Sequence, residues 1–208
     1  MHIVCLDLEG VLTPEVWVAV ATRFKDERLR LTTRDIPDYD RLMRYRLKIL
    51  RERGIRLRDI QAVIRRLKPL PGAVAFLNAL RATHQVIILS DTYYEFAGPF
   101  LAQLGHPTLW CHWLRTDRDG MIADYCLRMR NSKRHAVQSL KRLGFSVVAA
   151  GDSYNDLAML QAADRGIWFR PPPTIRKAYP QFPVATSHRQ LLRSCQQPLP
   201  PHRRASGR

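Results

Sequence analysis

Acidic residues are scarce in this chain: 18 Asp and Glu stand against 34 Lys and Arg, leaving a formal charge of +16 over 208 residues. Such an excess fits a polyanion partner. The arginines, however, are spread through every segment and no stacking-aromatic RNA signature occurs, so nucleic acid is not expected as the primary partner. Cysteine is sparse too. Cys5, Cys111, Cys126 and Cys195 form no C-x-x-C pair, which speaks against a disulfide framework or a zinc site. No apolar stretch approaches the ~20 residues that span a bilayer, and the best run, Val86 to Leu89, suits only a core strand. The opening MHIVCLDLEG has no basic leader, long apolar region or small-residue cleavage site, so a cytoplasmic location is expected. A G-x-x-x-x-G-K-[ST] loop is missing, which removes ATP binding through a P-loop. Internal repeats are also absent.

What is present is ordinary for a packed globular chain: 46% hydrophobic and 25% charged residues, enough for one core and a small lid. Short β-branched or aromatic runs at His2 to Leu8, Gln85 to Leu89, Thr108 to Cys111, Ser146 to Ala150 and Gly166 to Phe169 read as strands. Helical patterns between most of them predict an α/β fold with a Rossmann-like parallel sheet. Two strand-like runs around Arg118-Asp119-Gly120, between Trp113 and Met129, predict a β-hairpin. Residues 14–68 show no strand signal and end at Pro69-Leu70-Pro71-Gly72, so they are expected to form a helical cap. The core then comprises residues 1–13 and 69–195. Residues 196–208, rich in proline and arginine and poor in apolar periodicity, are expected to be a flexible basic tail.

Carboxylates recur where strands end. Asp7 and Glu9 close the first strand, and residues two apart project to the same side. The alternative is a turn before Gly10. Gly151-Asp152-Ser153-Tyr154-Asn155-Asp156 follows another strand, and clustered hard oxygens of this kind suit Mg²⁺. Helix capping by Asp152 or Ser153 would account for only part of that motif. Ser90-Asp91-Thr92 is expected to precede a helix, where a hydroxyl and free backbone N–H groups hold phosphate. Lys133, at another expected helix start, offers a point charge to phosphate and carboxylate.

A helix from about Asp38 to Arg53 places Tyr39, Leu42, Met43, Leu47, Ile49 and Leu50 on one stripe, with Arg46 in its middle. Arg41, Arg44, Lys48 and Glu52 fall on the opposite face. Arg46 could snorkel to water, but its central position favours binding a substrate carboxylate. Glu15, just past the first strand, either opens a helix or meets a substrate ammonium.

The order of these signals, D-x-E-G, then S-D-T, then Lys133, then G-D-S-x-N-D, resembles the haloacid dehalogenase superfamily. DLEGVLTPE, TTRDIPDYD, ILSDT and AAGDSYND look like its phosphoserine phosphatase branch, and most like the bifunctional members that transfer phosphate from phosphoserine to homoserine. The resemblance implies Asp7 as nucleophile and metal ligand, and Glu9 as proton donor with its carbonyl on the metal. Asp152 completes the ligands and Asp156 orients the metal's waters. Ser90 and Lys133 grip the phosphoryl group, Asn155 contacts substrate, and Asp91 belongs to the substrate-binding set. Most relatives of that superfamily carry Asp where this chain has Glu9, whereas the bifunctional members carry Glu. The implied cofactor is Mg²⁺, the implied substrates are phospho-L-serine and homoserine, and a homodimer is suggested. The alternatives are another small phosphate ester, such as a sugar phosphate or nucleotide, or nucleic-acid binding on an inactive scaffold.

Overall fold

The computed structural model describes residues 2–32, 35–36 and 38–199. Seven strands form one sheet: β1 (His2–Leu6), β2 (Gln85–Tyr93), β3 (Thr108–Thr116), β4 (Ile122–Cys126), β5 (Ser146–Gly151), β6 (Arg165–Phe169) and β7 (Val184–Ala185), in the order β4-β3-β2-β1-β5-β6-β7. Every pairing is parallel except β3 with β4. Continuous apolar runs suit such a sheet because both of its faces are covered. Alternation sends Val4, Leu6, Val148, Ala150, Ile167 and Phe169 into one buried cluster, and Ile3, Cys5, Val147, Ala149 and Trp168 into the other.

Between β1 and β2 the chain forms α1 (Val16–Phe24), a 3₁₀ turn (Glu27–Arg30), α2 (Tyr39–Glu52), α3 (Leu57–Ile64) and α4 (Ala73–Arg81), with no named strand among the described residues. The Asp38 side chain caps α2 by accepting from the Arg41 N–H at 2.9 Å. Leu42, Met43, Arg46, Ile49 and Leu50 are buried, while Arg41, Arg44, Lys48 and Glu52 are exposed, the division the helical spacing requires. The two linkers of this segment run side by side, the Leu70 N–H donating to the Leu12 carbonyl at 2.8 Å. The remaining helices are α5 (Tyr94–Gln103), α6 (Ser132–Arg142), α7 (Leu157–Ala162), α8 (Pro173–Ala178) and α9 (His188–Gln196). No helix among the described residues is long and apolar enough to cross a membrane.

Several details differ from the sequence expectations. β2 runs on through Ser90-Asp91-Thr92 to Tyr93, so that motif is extended strand and α5 starts at Tyr94. The Thr92 N–H is occupied by Ser90 Oγ at 3.2 Å and is not a free helix-start donor. β-Branched Thr92 and aromatic Tyr93 favour this continuation, and after a bulge Tyr93 pairs with His112. β3 is one long strand, parallel to β2 in its first half and antiparallel to β4 in its second. β7 has only two residues, too few for a periodic signal. Of the expected tail, Gln197 and Pro198 offer their carbonyls to Arg165 at 2.8 and 2.7 Å, and Leu199 packs on the core. Residues 200–208 lie outside the described residues.

Candidate active site

β1 sits between β2 and β5, so the chain winds outward from it in both directions, and ligands of open α/β sheets bind at the carboxyl end of such a switch point. Asp7 is the first residue past β1, held by its N–H on the Ala150 carbonyl at 2.9 Å. The chain turns at Gly10, whose φ is +81°. A Cβ there would lie 2.4 Å from Asp152 Cγ, and one at Gly151 would lie 2.3 Å from Asp156 Cγ. Glycine at both positions lets the acidic side chains press against backbone, and any larger residue would displace them. Asp7, Asp152 and Asp156 consequently bring carboxylate oxygens within 4.8 Å of one another.

Lys133, from the first turn of α6, bridges this group. Its Nζ donates to Asp156 Oδ1 at 2.7 Å and to Asp7 Oδ1 at 2.8 Å, and lies 3.5 Å from Asp91 Oδ2. All but Asp91 and Asp152 are buried: Asp7 is 4% exposed, Lys133 3% and Asp156 0%. Burial opposes the lysine's charge, but Asp156, Asp7 and Asp91 outweigh it and hold the ammonium well above its ordinary value. Burial, together with Asp156 and Asp152, pushes the Asp7 carboxyl well above the usual carboxylate range against the pull of Lys133. One ammonium is too little positive charge for three crowded carboxylates. Their hard oxygens and spacing therefore fit a divalent cation such as Mg²⁺. The Asp156 Oδ2 also accepts from the Asp152 and Ser153 N–H groups at 3.0 and 3.2 Å, which orients that carboxylate across the motif.

Glu9 faces the same cavity in different company. Burial and the nearby Glu15 carboxylate raise its carboxyl to about 7, although Val16 N–H, Thr92 and Arg46 pull it down. Val16 N–H donates to Glu9 Oε2 at 2.9 Å. A carboxyl poised there can give up a proton and take it back near neutrality. The shift also links to stability. With a folded value above the unfolded one, the contribution is complete below about 4.5 and is lost as pH rises through about 7. In metal-free protein, Glu9→Gln is therefore expected to be more stable than wild type at pH 8 by about 2 kcal/mol, discounted for partial exposure. At acid pH the gain disappears. Urea denaturation at both pH values measures it, and an equal difference at each would exclude Glu9 as the source.

The opposite wall of this cavity, which has a volume of about 390 Å³, is built by Glu15, Trp17, Tyr39 and Arg46, with Ser90, Asp91 and Asn155 on the sheet side. Arg46 is 6% exposed, its Cζ 4.5 Å from the Trp17 ring centroid. Its Nη2 donates to the Leu31 carbonyl at 2.7 Å and its Nη1 meets Met43 Sδ at 3.6 Å. Its Nε has no hydrogen-bond partner among the described residues, and burial lowers the guanidinium from its ordinary value. Asp91 accepts from Asn155 Nδ2 at 2.9 Å and lies 3.5 Å from His112 Nε2. Burial works against its charge, yet Lys133, His112 and Asn155 hold its carboxyl below the usual range.

Every residue singled out by sequence thus falls on the cavity or its acidic floor. Others were missed. His112 is buried beside Asp91, and strand alternation could have found it, because it shares the inward face of β3 with Leu114. The Tyr39 and Tyr93 hydroxyls, 2.7 Å apart, join α2 to β2 across 54 residues of chain, a contact without sequence signal.

A doubly wound sheet with an acidic, lysine-bridged centre at its switch point is the arrangement of an α/β protein with a ligand site at the carboxyl end of its strands. A family model described as haloacid dehalogenase-like hydrolase matches residues 1–164, and the chain belongs to that family. A protein of Pseudomonas syringae pv. tomato named phosphoserine phosphatase is 53% identical over 191 residues, which cover 92% of this chain and 81% of its own length. Phosphoserine phosphatase ThrH of Pseudomonas aeruginosa is 52% identical over 193 residues, covering 93% of this chain and 94% of its own. A crystal structure of an apo phosphoserine phosphatase shares the fold with a TM-score of 0.75 at 18% identity, over 92% of this chain and 98% of that one.

Proposed function

We propose that this chain hydrolyses phospho-L-serine through a phosphate carried on Asp7, and that homoserine can replace water as acceptor. The observation that carries the reading is Arg46: a buried guanidinium with an idle donor, across a small cavity from Asp7. A substrate carboxylate on Arg46 and an ammonium on Glu15 would leave a side-chain phosphate directed at Asp7. The relatives at 52 and 53% identity support the same substrate by their names.

Residues 14–68 act as the cap over a core of residues 1–13 and 69–195. Asp7 attacks phosphorus, the bond from phosphorus to the serine oxygen breaks, and Glu9 gives that oxygen its proton. Glu9, now a carboxylate, takes a proton from water or from the homoserine hydroxyl as either attacks the aspartyl-phosphate, and Asp7 departs. Ser90 and Lys133 hold the phosphoryl group, Asn155 contacts the substrate, and Asp91 lines the site beside them, accepting from Asn155 and lying 3.5 Å from Lys133. Mg²⁺ held by Asp7, Asp152 and the Glu9 carbonyl, with Asp156 turned toward its waters, would offset charge on the phosphoryl oxygens. The same intermediate serves both activities, and a cytoplasmic enzyme of amino-acid metabolism is the matching setting.

The test is phosphate release from phospho-L-serine by the purified protein with Mg²⁺, with and without homoserine. Phosphohomoserine formed at the expense of free phosphate supports the transfer. Turnover of sugar phosphates or nucleotides but not phosphoserine would overturn the substrate, and steeply salt-dependent RNA binding without turnover would overturn the enzyme.

Arg46→Ala is expected to lower kcat/KM for phospho-L-serine roughly 10- to 100-fold, mainly through KM, as loss of a charged hydrogen bond implies. Turnover of p-nitrophenyl phosphate, which has no carboxylate, should persist. If both substrates suffer equally, Arg46 serves α2 through Leu31 and does not read the substrate.

A further inference from the structure

The helix after the last strand carries a histidine used by none of the motifs. His188 opens α9, beyond the residues the family model matches. It is 6% exposed, with its ring between Phe76 of α4 and Phe169 of β6 at centroid distances of 5.3 and 4.7 Å. Its Nε2 lies 2.8 Å from the Val11 carbonyl and its Nδ1 lies 3.1 Å from the Pro71 carbonyl. A carbonyl oxygen can only accept, and a neutral imidazole has a single N–H. Whichever nitrogen carries the proton, the ring donates to the carbonyl of one linker and closes against the carbonyl of the other. Phe169 also carries the Arg170 guanidinium, whose Cζ is 5.0 Å from its ring.

The two carbonyls belong to the two linkers of the helical segment. Val11 follows Asp7, Glu9 and Gly10 on the first linker, and Pro71 lies on the second, next to the Leu70 N–H that bonds the Leu12 carbonyl at 2.8 Å. We propose that His188 is a positioning residue whose two ring nitrogens, set against one carbonyl on each linker, tie both linkers to α9 and so hold the helical segment bearing Glu15 and Arg46 at a fixed reach from Asp7. Its effect on turnover rests on the phosphoserine reading; the pinning does not. Without the pin, the closed arrangement that binds substrate is populated less, and the apparent affinity falls by the same fraction.

Nitrogen-15 NMR of the wild type tests the contacts directly: a His188 ring N–H should be observed exchanging slowly with water, and a ring proton that exchanges as fast as that of an exposed histidine overturns the proposal. His188→Phe keeps the stacking and removes both ring nitrogens. In that variant Leu70 N–H exchange should speed up by about 10-fold or more, as expected when a local opening becomes easier. KM for phospho-L-serine should rise several-fold with kcat nearly unchanged. Unchanged Leu70 exchange in a folded variant overturns the pin. If the wild type does not turn over phosphoserine, the function fails while the nitrogen signals and the exchange rates still decide the latch.

Discussion

Asp7→Asn is expected to lower phosphate release from phospho-L-serine by at least about 10,000-fold, the scale on which removing a covalent nucleophile acts. The amide has almost the shape of the carboxylate but offers no anionic oxygen to phosphorus, and water alone would have to attack. Folding should survive. The oxygen of the introduced amide can still accept from Lys133, and the substitution removes a charge that burial, Asp156 and Asp152 already disfavour. Metal-free stability is therefore expected to change by less than about 2 kcal/mol. Mg²⁺ supplies the control. Saturating metal should stabilise the wild type by about 2 to 3 kcal/mol, as ligand linkage at ~100 times the dissociation constant gives, and the variant by much less. A folded variant that keeps more than a hundredth of wild-type turnover would remove Asp7 from the nucleophile's role.

The legible part of this molecule is the part written in short-range pattern. Strands buried on both faces appear as apolar runs, and five of the seven were visible in this way, whereas Val184–Ala185 is too short to leave a period. Arg46 was visible because one cation in an apolar stripe violates the helix's own pattern, and the structure buries it at 6% exposure. Ser90-Asp91-Thr92 shows where the pattern misled. A serine after an apolar run resembles a helix start, but pairing with β3 carries the strand on to Tyr93. Contacts between distant residues left no trace: Tyr39 with Tyr93, and His188 with Val11 across 177 residues. Their roles come only from which residue stands opposite in the fold. Arg165 illustrates the same limit at the end of the chain, since composition cannot show that Gln197 and Pro198 lend it their carbonyls.

Replacing Lys133 by Met should combine a large loss of activity with a loss of stability whose pH dependence identifies its cause. The ammonium is 3% exposed and is shared by Asp7, Asp156 and, more distantly, Asp91. Methionine fills similar space but leaves buried carboxylates uncompensated, which costs about 3 to 5 kcal/mol when one partner of a buried pair is removed. That cost requires the carboxylates to be ionised. Asp7 already has a raised folded value, so without Lys133 it takes a proton at higher pH still, and acid relieves the repulsion. The wild-type lysine stays charged throughout, because its own folded value is raised. The variant should therefore fall well below wild type at pH 8 and approach it at pH 5 in metal-free urea titrations. Added Mg²⁺ should return part of the difference by supplying positive charge to the same oxygens. Turnover should remain about 1,000-fold down even with metal, since a fixed cation facing developing phosphoryl charge is lost. Lys133→Arg separates charge from shape: stability at pH 8 should partly return, while the bulkier planar group leaves turnover low. A stability loss equal at pH 5 and pH 8 would assign Lys133 to packing, and its place between three carboxylates would then have no electrostatic consequence.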